Sequence, residues 1–172
     1  MLYWLTLLSD GGDFFNLFRY ITFRAGGAFL TALLFGFIFG KPLINMLRRT
    51  QGKGQPIRTD GPESHFAKAG TPTMGGLLIV GALLTSTLLW ARLDNAFIWM
   101  ILFVTMSFAA IGFADDYAKV SKQNVKGVSS RVRLLLGFLI AGIAGYWAAQ
   151  YHPENLQYQL ALPVFKDTLV NL

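Results

Sequence analysis

The stretch "IGFADDYAKV", residues 111–120, sets two carboxylates side by side, Asp115 and Asp116, where an uncharged run of 20 residues, Asn95–Ala114, meets polar sequence. If that run is a helix, both acids fall near its C-terminal end. A carboxylate there opposes the helix dipole at a cost of roughly 0.3–1 kcal/mol. Lys119 stands four residues beyond Asp115 and offers it an i,i+4 ion pair. Asp116 has only Val120 at that spacing. Neighbouring side chains on a helix point about 100° apart, so one cation is not expected to serve both acids. A hard divalent cation accounts for the pair, because Mg²⁺ is held by one or two carboxylates together with substrate phosphates.

A second group of candidates lies upstream, in "KPLINMLRRTQGKGQPIRTDGPESHFAKAGTPTMGG", residues 41–76. Thr71 followed by Pro72 predicts an N-cap with proline at the first helical position. The free N–H groups and positive dipole of such a helix start receive anions. Lys68 adds a cation and Thr73 a hydroxyl, and Gly75–Gly76 lets a backbone or ligand approach closely. Taken alone, these residues equally describe an ordinary capped helix. Together with the acids they describe a site for phosphoryl-group transfer, with metal and cations to offset phosphate charge and a carboxylate near the acceptor. Asp115 and Asp116 are the candidate catalytic pair, Asp116 also the candidate metal ligand. Lys68, Thr73, Gly75, Gly76 and Lys119 are the candidate substrate-binding residues.

The elements that must position these residues are apolar. Of 172 residues, 53% are hydrophobic and 14% charged, too few charges for an ordinary soluble domain. The apolar residues come in blocks: Ala25–Gly40, Thr73–Ala91, Asn95–Ala114 and Leu134–Pro153 carry no charge. A membrane-spanning helix needs about 20 such residues. The expected fold is an all-α polytopic bundle in one membrane domain, residues 1–172, with helices at about 20–47, 73–92, 95–116 and 132–151. A soluble protein with four buried helices would need polar faces that these blocks lack. Residues 1–24 open without Lys or Arg and contain Asp10 and Asp13, unlike a signal peptide. They are expected along the membrane surface, with Trp4, Phe14, Phe15 and Phe18 at headgroup depth. "GFIFG" (Gly36, Gly40) and the series Gly137, Ala141, Gly145, Ala149 have the spacing of helix-packing faces.

The net charge of +6 has a topological cause rather than a nucleic-acid partner. Lys41, Arg48, Arg49, Lys53, Arg58 and Lys68 precede the second block, and Lys119, Lys122, Lys126, Arg131 and Arg133 follow the third. The positive-inside rule puts the loops at about 48–72 and 117–131 in the cytoplasm and the N-terminus outside. Arg19 and Arg24, at the outer end of the first block, dissent. The absence of cysteine excludes disulfides and thiolate metal sites.

"DGPESHFAKAGTPTMGG" (60–76) and "IGFADDYAKV" (111–120), supported by "YITFRA" (20–25) and "LPVFKD" (162–167), resemble the phospho-N-acetylmuramoyl-pentapeptide transferase family, within the polyprenyl-phosphate N-acetylhexosamine-1-phosphate transferase superfamily. The resemblance runs through the whole chain. It implies a Mg²⁺-dependent, multi-pass enzyme of the bacterial inner membrane. Such an enzyme moves phospho-N-acetylmuramoyl-pentapeptide from its UDP carrier to undecaprenyl phosphate, giving lipid I and UMP in peptidoglycan synthesis. By resemblance Asp115 handles the lipid-phosphate nucleophile and Asp116 positions phosphate or metal, although the division between them stays open. Lys68 and Thr73 match positions lining the nucleotide-sugar site. A homodimer is a further expectation. The family is about twice as long, judged by its number of spans, and its later half carries another catalytic Asp, an Asn-containing motif and a His-rich motif. This chain is therefore expected to be an N-terminal half, inactive alone, with the principal metal ligand elsewhere. The apolar "LALPVFKDTLVNL", 160–172, is expected to lead into another helix. Competing readings are a related UDP-N-acetylhexosamine phosphate transferase and a non-catalytic membrane scaffold.

Overall fold

The computed structural model describes residues 1–52, 72–122 and 127–151, and the backbone of 159–161 and 169–171. Four helices dominate: α1 (Ile21–Gln51), α2 (Gly76–Trp90), α3 (Ala96–Lys122) and α4 (Ser130–Tyr151). Two 3-10 segments, Leu2–Leu8 and Phe14–Arg19, precede them.

α1, at 31 residues, continues through Pro42, so the expected extension past that proline holds. It closes at Gly52, whose φ of +53° suits glycine and whose N–H returns to the Arg48 carbonyl at 3.3 Å. Arg48 and Arg49 sit in its last turn, where the dipole favours cations. Asn95 caps α3, its Oδ1 accepting the Phe97 N–H at 2.9 Å. Ser129 begins α4 by accepting the Arg133 N–H on its carbonyl at 3.1 Å.

The helices form two antiparallel pairs. α1 and α2 meet along their lengths: Trp90 Nε1 donates to Thr31 Oγ1 at 2.9 Å, Phe35 lies against Gly81, and Gln51 reaches Thr73. α3 and α4 meet through Phe103 and Trp147, with ring centroids 6.2 Å apart, and through Phe108 against Gly137. Gly40 and Gly137 of the small-residue series meet Leu78 and Phe108 at ordinary contact distance, Gly36 and Gly145 face open space, and the tightest approaches come at Gly27 and Gly81.

α1, α3 and α4 are long and apolar enough to cross a membrane. Their outward faces expose large apolar side chains such as Phe37, Ile38, Phe138 and Tyr146. A soluble monomer rarely shows so much contiguous apolar surface. α2 is shorter than the span read at 73–92. Its 15 residues rise about 22 Å, against a hydrocarbon core of about 30 Å.

Two other expectations are corrected. α2 starts at Gly76, so Pro72 is not its first helical residue, and Thr71 lies outside the described residues. Gln51 engages both the N–H and the C=O of Thr73, which holds that residue out of the helical ladder. Phe18 is buried rather than surface-lying: it stacks on Trp90 at 5.9 Å and meets the edge of Phe23 at 5.3 Å. Near the C-terminus β1 (Gln159–Ala161) and β2 (Leu169–Asn171) pair antiparallel, Leu160 opposite Val170. Pro163, between them in sequence, lacks the N–H a continuing helix would need.

Candidate active site

The last two turns of α3, the start of α2 and the start of α4 converge on the adjacent acids. α3 runs to Lys122, so Asp115 and Asp116 stand within the helix rather than at its end. Lys119 is therefore one turn on from both. Its Nζ lies 2.7 Å from Asp115 Oδ2 and 3.7 Å from Asp116 Oδ1. The expectation that one cation could not serve both acids is thus corrected. The flexible four-carbon stem of lysine places its ammonium between carboxylates whose Cα–Cβ directions diverge.

The two acids sit in different surroundings. Asp115 is buried, with 6% of its surface exposed. Its Oδ1 accepts the Val128 N–H at 2.8 Å and the Arg133 guanidinium at 3.1 Å. Two cations and a backbone N–H offset the cost of burying this carboxylate. Asp116 is a third exposed at its side chain. Its Oδ2 accepts the Thr73 hydroxyl at 3.1 Å. This bond joins the two motifs that the sequence holds 43 residues apart.

Thr73 is itself held. The Gln51 side chain, buried at the end of α1, accepts its N–H at 2.9 Å and donates to its carbonyl at 3.1 Å. Met74 follows with φ of +70°, a left-handed backbone that costs a side-chain-bearing residue energy. The Leu77 and Leu78 N–H groups return to the Met74 and Gly75 carbonyls at 3.1 Å each. Two of the amides at this helix start are therefore engaged within the chain. Gly75 is right-handed, and a Cβ on Gly75 or Gly76 would meet open space, so neither glycine is needed for a close approach within this chain. Lys68 lies outside the described residues.

Beneath the acids, α2 and α3 diverge around a groove of about 570 Å³. Met74, Leu77, Val80, Met106 and Phe113 give it apolar walls, and Asp115 and Asp116 close one end. An apolar trough ending in carboxylates suits an amphiphile whose head is handled at the polar end.

Among the described residues no group of three or more His, Asp or Glu side chains could hold a metal. The acids nevertheless fit a partial Mg²⁺ shell, which needs only one or two carboxylates when phosphates complete it. Asp116 Oδ1 is the better placed oxygen, since the nearest cation to it among the described residues is at 3.7 Å while both oxygens of Asp115 are engaged.

Four contributors were not legible as site residues: Gln51, Gly127, Val128 and Arg133. Arg133 had counted only as loop charge. A Cβ on Gly127 would collide with the Asp115 carboxylate and come within 2.9 Å of Lys119 Cε, so any other residue there would have to displace the carboxylate. The local signal for Gly127 was a lone glycine in "KQNVKGVSS", which by itself marks any turn.

Residues 68–80 match the model of phospho-N-acetylmuramoyl-pentapeptide-transferase signature 1. Over all 172 residues the chain is 78% identical to the phospho-N-acetylmuramoyl-pentapeptide-transferase of Ruegeria pomeroyi, covering 48% of that protein. A second Ruegeria protein of the same name gives the same figures. The Dinoroseobacter shibae protein of that name is 70% identical, again with the whole chain matched to 48% of the relative. The chain spans about half the length of the curated relatives it matches.

Proposed function

For a chain homologous throughout its length to the phospho-N-acetylmuramoyl-pentapeptide-transferases, we infer a part in moving phospho-N-acetylmuramoyl-pentapeptide from its UDP carrier to undecaprenyl phosphate. In that reaction an oxygen of the lipid phosphate bonds to the sugar-linked phosphorus of the donor. The pyrophosphate bond to the uridylyl group breaks, UMP leaves and lipid I forms. The reaction belongs to the complete protein, in the bacterial inner membrane, with four spans in this stretch, α2 included, and the segments 48–72 and 117–131, helix ends included, on the cytoplasmic side.

The observation that carries this reading is the Thr73–Asp116 bond at the head of an apolar groove. It brings the residue inside the matched signature to the acidic pair, and the groove offers room for a prenyl chain beside them. Thr73 fixes one Asp116 oxygen and leaves the other toward the reactants. Lys119 supplies positive charge between the acids, where phosphate charge would gather. Mg²⁺, held in part by Asp116, would polarise the phosphoryl oxygens. Residues 1–172 alone would be inactive, because the two carboxylates and the lysine between them, among the described residues, leave the departing UMP without fixed partners.

The test is lipid I formation in membranes carrying the complete protein, given undecaprenyl phosphate and either UDP-N-acetylmuramoyl-pentapeptide or a UDP-N-acetylhexosamine. Product from the muramoyl donor is expected. Product from the hexosamine donor alone would assign the related activity instead.

A further inference from the structure

Asp115 and Asp116 are neighbours in sequence but have different partners. Asp115 spends three of about four acceptor sites on the chain itself: Lys119, the Val128 N–H and Arg133. Those partners belong to α3, to the turn before α4 and to the first turns of α4. The turn is shaped around the carboxylate, since Gly127 has no room for a side chain against it. Arg133 also donates to the Val128 carbonyl at 3.0 Å, so carboxylate, turn and guanidinium close a ring. Among the described residues Asp116 takes one hydrogen bond, from a hydroxyl, and lies at the edge of ion-pair range from Lys119.

We propose that the adjacent acids divide their work: Asp115 is a positioning residue that, through Arg133 and the Gly127–Val128 turn, fixes α4 and Lys119 beside the site, and Asp116 is the catalytic carboxylate that meets the reacting phosphate or its metal. This rests on the transfer reaction inferred above, and it reverses the division that family resemblance suggests. Filling Asp115 with reactant contacts would require breaking bonds to Arg133, Val128 or Lys119. Asp116 needs no such rearrangement. Arg133, not recognised from sequence, becomes the second positioning residue. Its side chain is 47% exposed, so a substitution there need not disturb buried packing.

The experiment uses the complete protein with Asp115→Asn, Arg133→Gln, Arg133→Lys, the Asp115→Asn/Arg133→Gln double variant and Asp116→Asn. Tm is read without substrate, and turnover is read across a Mg²⁺ titration. Asp115→Asn and Arg133→Gln should each lower Tm by about 3 °C or more and turnover by about tenfold. The double variant should be no worse than the poorer single, as for one shared interaction. Arg133→Lys should recover most of both losses. Asp116→Asn should lower Tm less than Asp115→Asn does, cut turnover about a hundredfold or more and raise the Mg²⁺ concentration needed for half activity several-fold, a shift absent from Asp115→Asn and Arg133→Gln. Additive losses in the double variant would overturn the shared tie. A Mg²⁺ shift in Asp115→Asn equal to that of Asp116→Asn, with normal Tm, would overturn the division of roles. If the unmodified protein made no lipid I from either donor, the reaction and the reactant role of Asp116 would fall together. The Tm cycle would then still decide the Asp115–Arg133 tie.

Discussion

The Thr73 hydroxyl donates to Asp116 Oδ2 at 3.1 Å, closing a span of 43 residues with one side-chain bond. Because Asp116 is charged, this bond belongs to the stronger class, worth about 1.5–3 kcal/mol. Its effect is to orient the carboxylate. Thr73→Val keeps the branched shape and removes the donor, and it should lower turnover about tenfold or more. Thr73→Ser should retain most of the activity. Equal activity in the two variants would show that the hydroxyl does not orient Asp116.

Gln51 sets where that hydroxyl stands. Its buried amide makes two bonds to the Thr73 backbone. Gln51→Leu would leave a partly buried N–H and C=O without partners, at about 1–3 kcal/mol. A lower Tm and a turnover loss close to that of Thr73→Val are expected. Combined with Thr73→Val, the second change should add little to the turnover loss. A fully multiplicative loss would argue that Gln51 acts independently of Thr73.

What sequence could tell about this site was set by distance along the chain. Lys119 was legible as the partner of Asp115 because one helical turn joins them. The long apolar blocks were legible because span length follows from bilayer thickness. Gln51 and Arg133 were not, since their partners lie 22 and 18 residues away and helix packing alone brings them together. The start of α2 was misplaced for a related reason. Thr-Pro states a local preference for a helix start. The bonds from Gln51 take the Thr73 carbonyl, so the ladder begins only after Met74 has turned left-handed. Lys119 reaching both acids escaped a rule about Cβ directions because a lysine head can swing away from its Cβ axis.

At the opposite end of the α1–α2 pair, Gly27 packs directly under the Trp90 indole, where a Cβ would collide with the ring. Gly27→Ala should gain about 1 kcal/mol of helix propensity and lose about 1–3 kcal/mol to overpacking. The Trp90–Thr31 bond would be displaced with the ring. A net fall in Tm is expected, together with a shift in Trp emission. An unchanged or raised Tm would mean that the indole can move aside freely.

The basic residues make an orientation testable. Eleven of the 15 Lys and Arg residues flank the two site-bearing segments, within 41–72 and 115–133. By positive-inside bias both segments are expected to face the cytoplasm. The chain has no cysteine, so single cysteines report cleanly. Gln55→Cys and Gln123→Cys should resist a membrane-impermeant thiol reagent in intact cells and react once the membrane is opened. Reaction of either in intact cells would reverse the assignment for that segment.

The final prediction concerns residues 1–172 expressed alone. Among the described residues the acids have one shared lysine, one hydroxyl and one arginine around them. Transfer between two phosphates needs more than that. The metal must be held against both reactants, and the charge developing on UMP must meet fixed donors. Two carboxylates leave most of an octahedral Mg²⁺ shell to water and phosphate, which do not fix the reactants in line. The groove between α2 and α3 is also open along its apolar walls, so it would not hold a prenyl chain in one place. Purified residues 1–172, in lipid with Mg²⁺ and both substrates, should form no more lipid I than their Asp116→Asn variant. Supplying the remaining half of the relatives' length as a separate chain should raise the first and not the second, if the two halves dock. Turnover by residues 1–172 above the Asp116→Asn control would mean that the charges on these helices suffice, and that the site is complete within them.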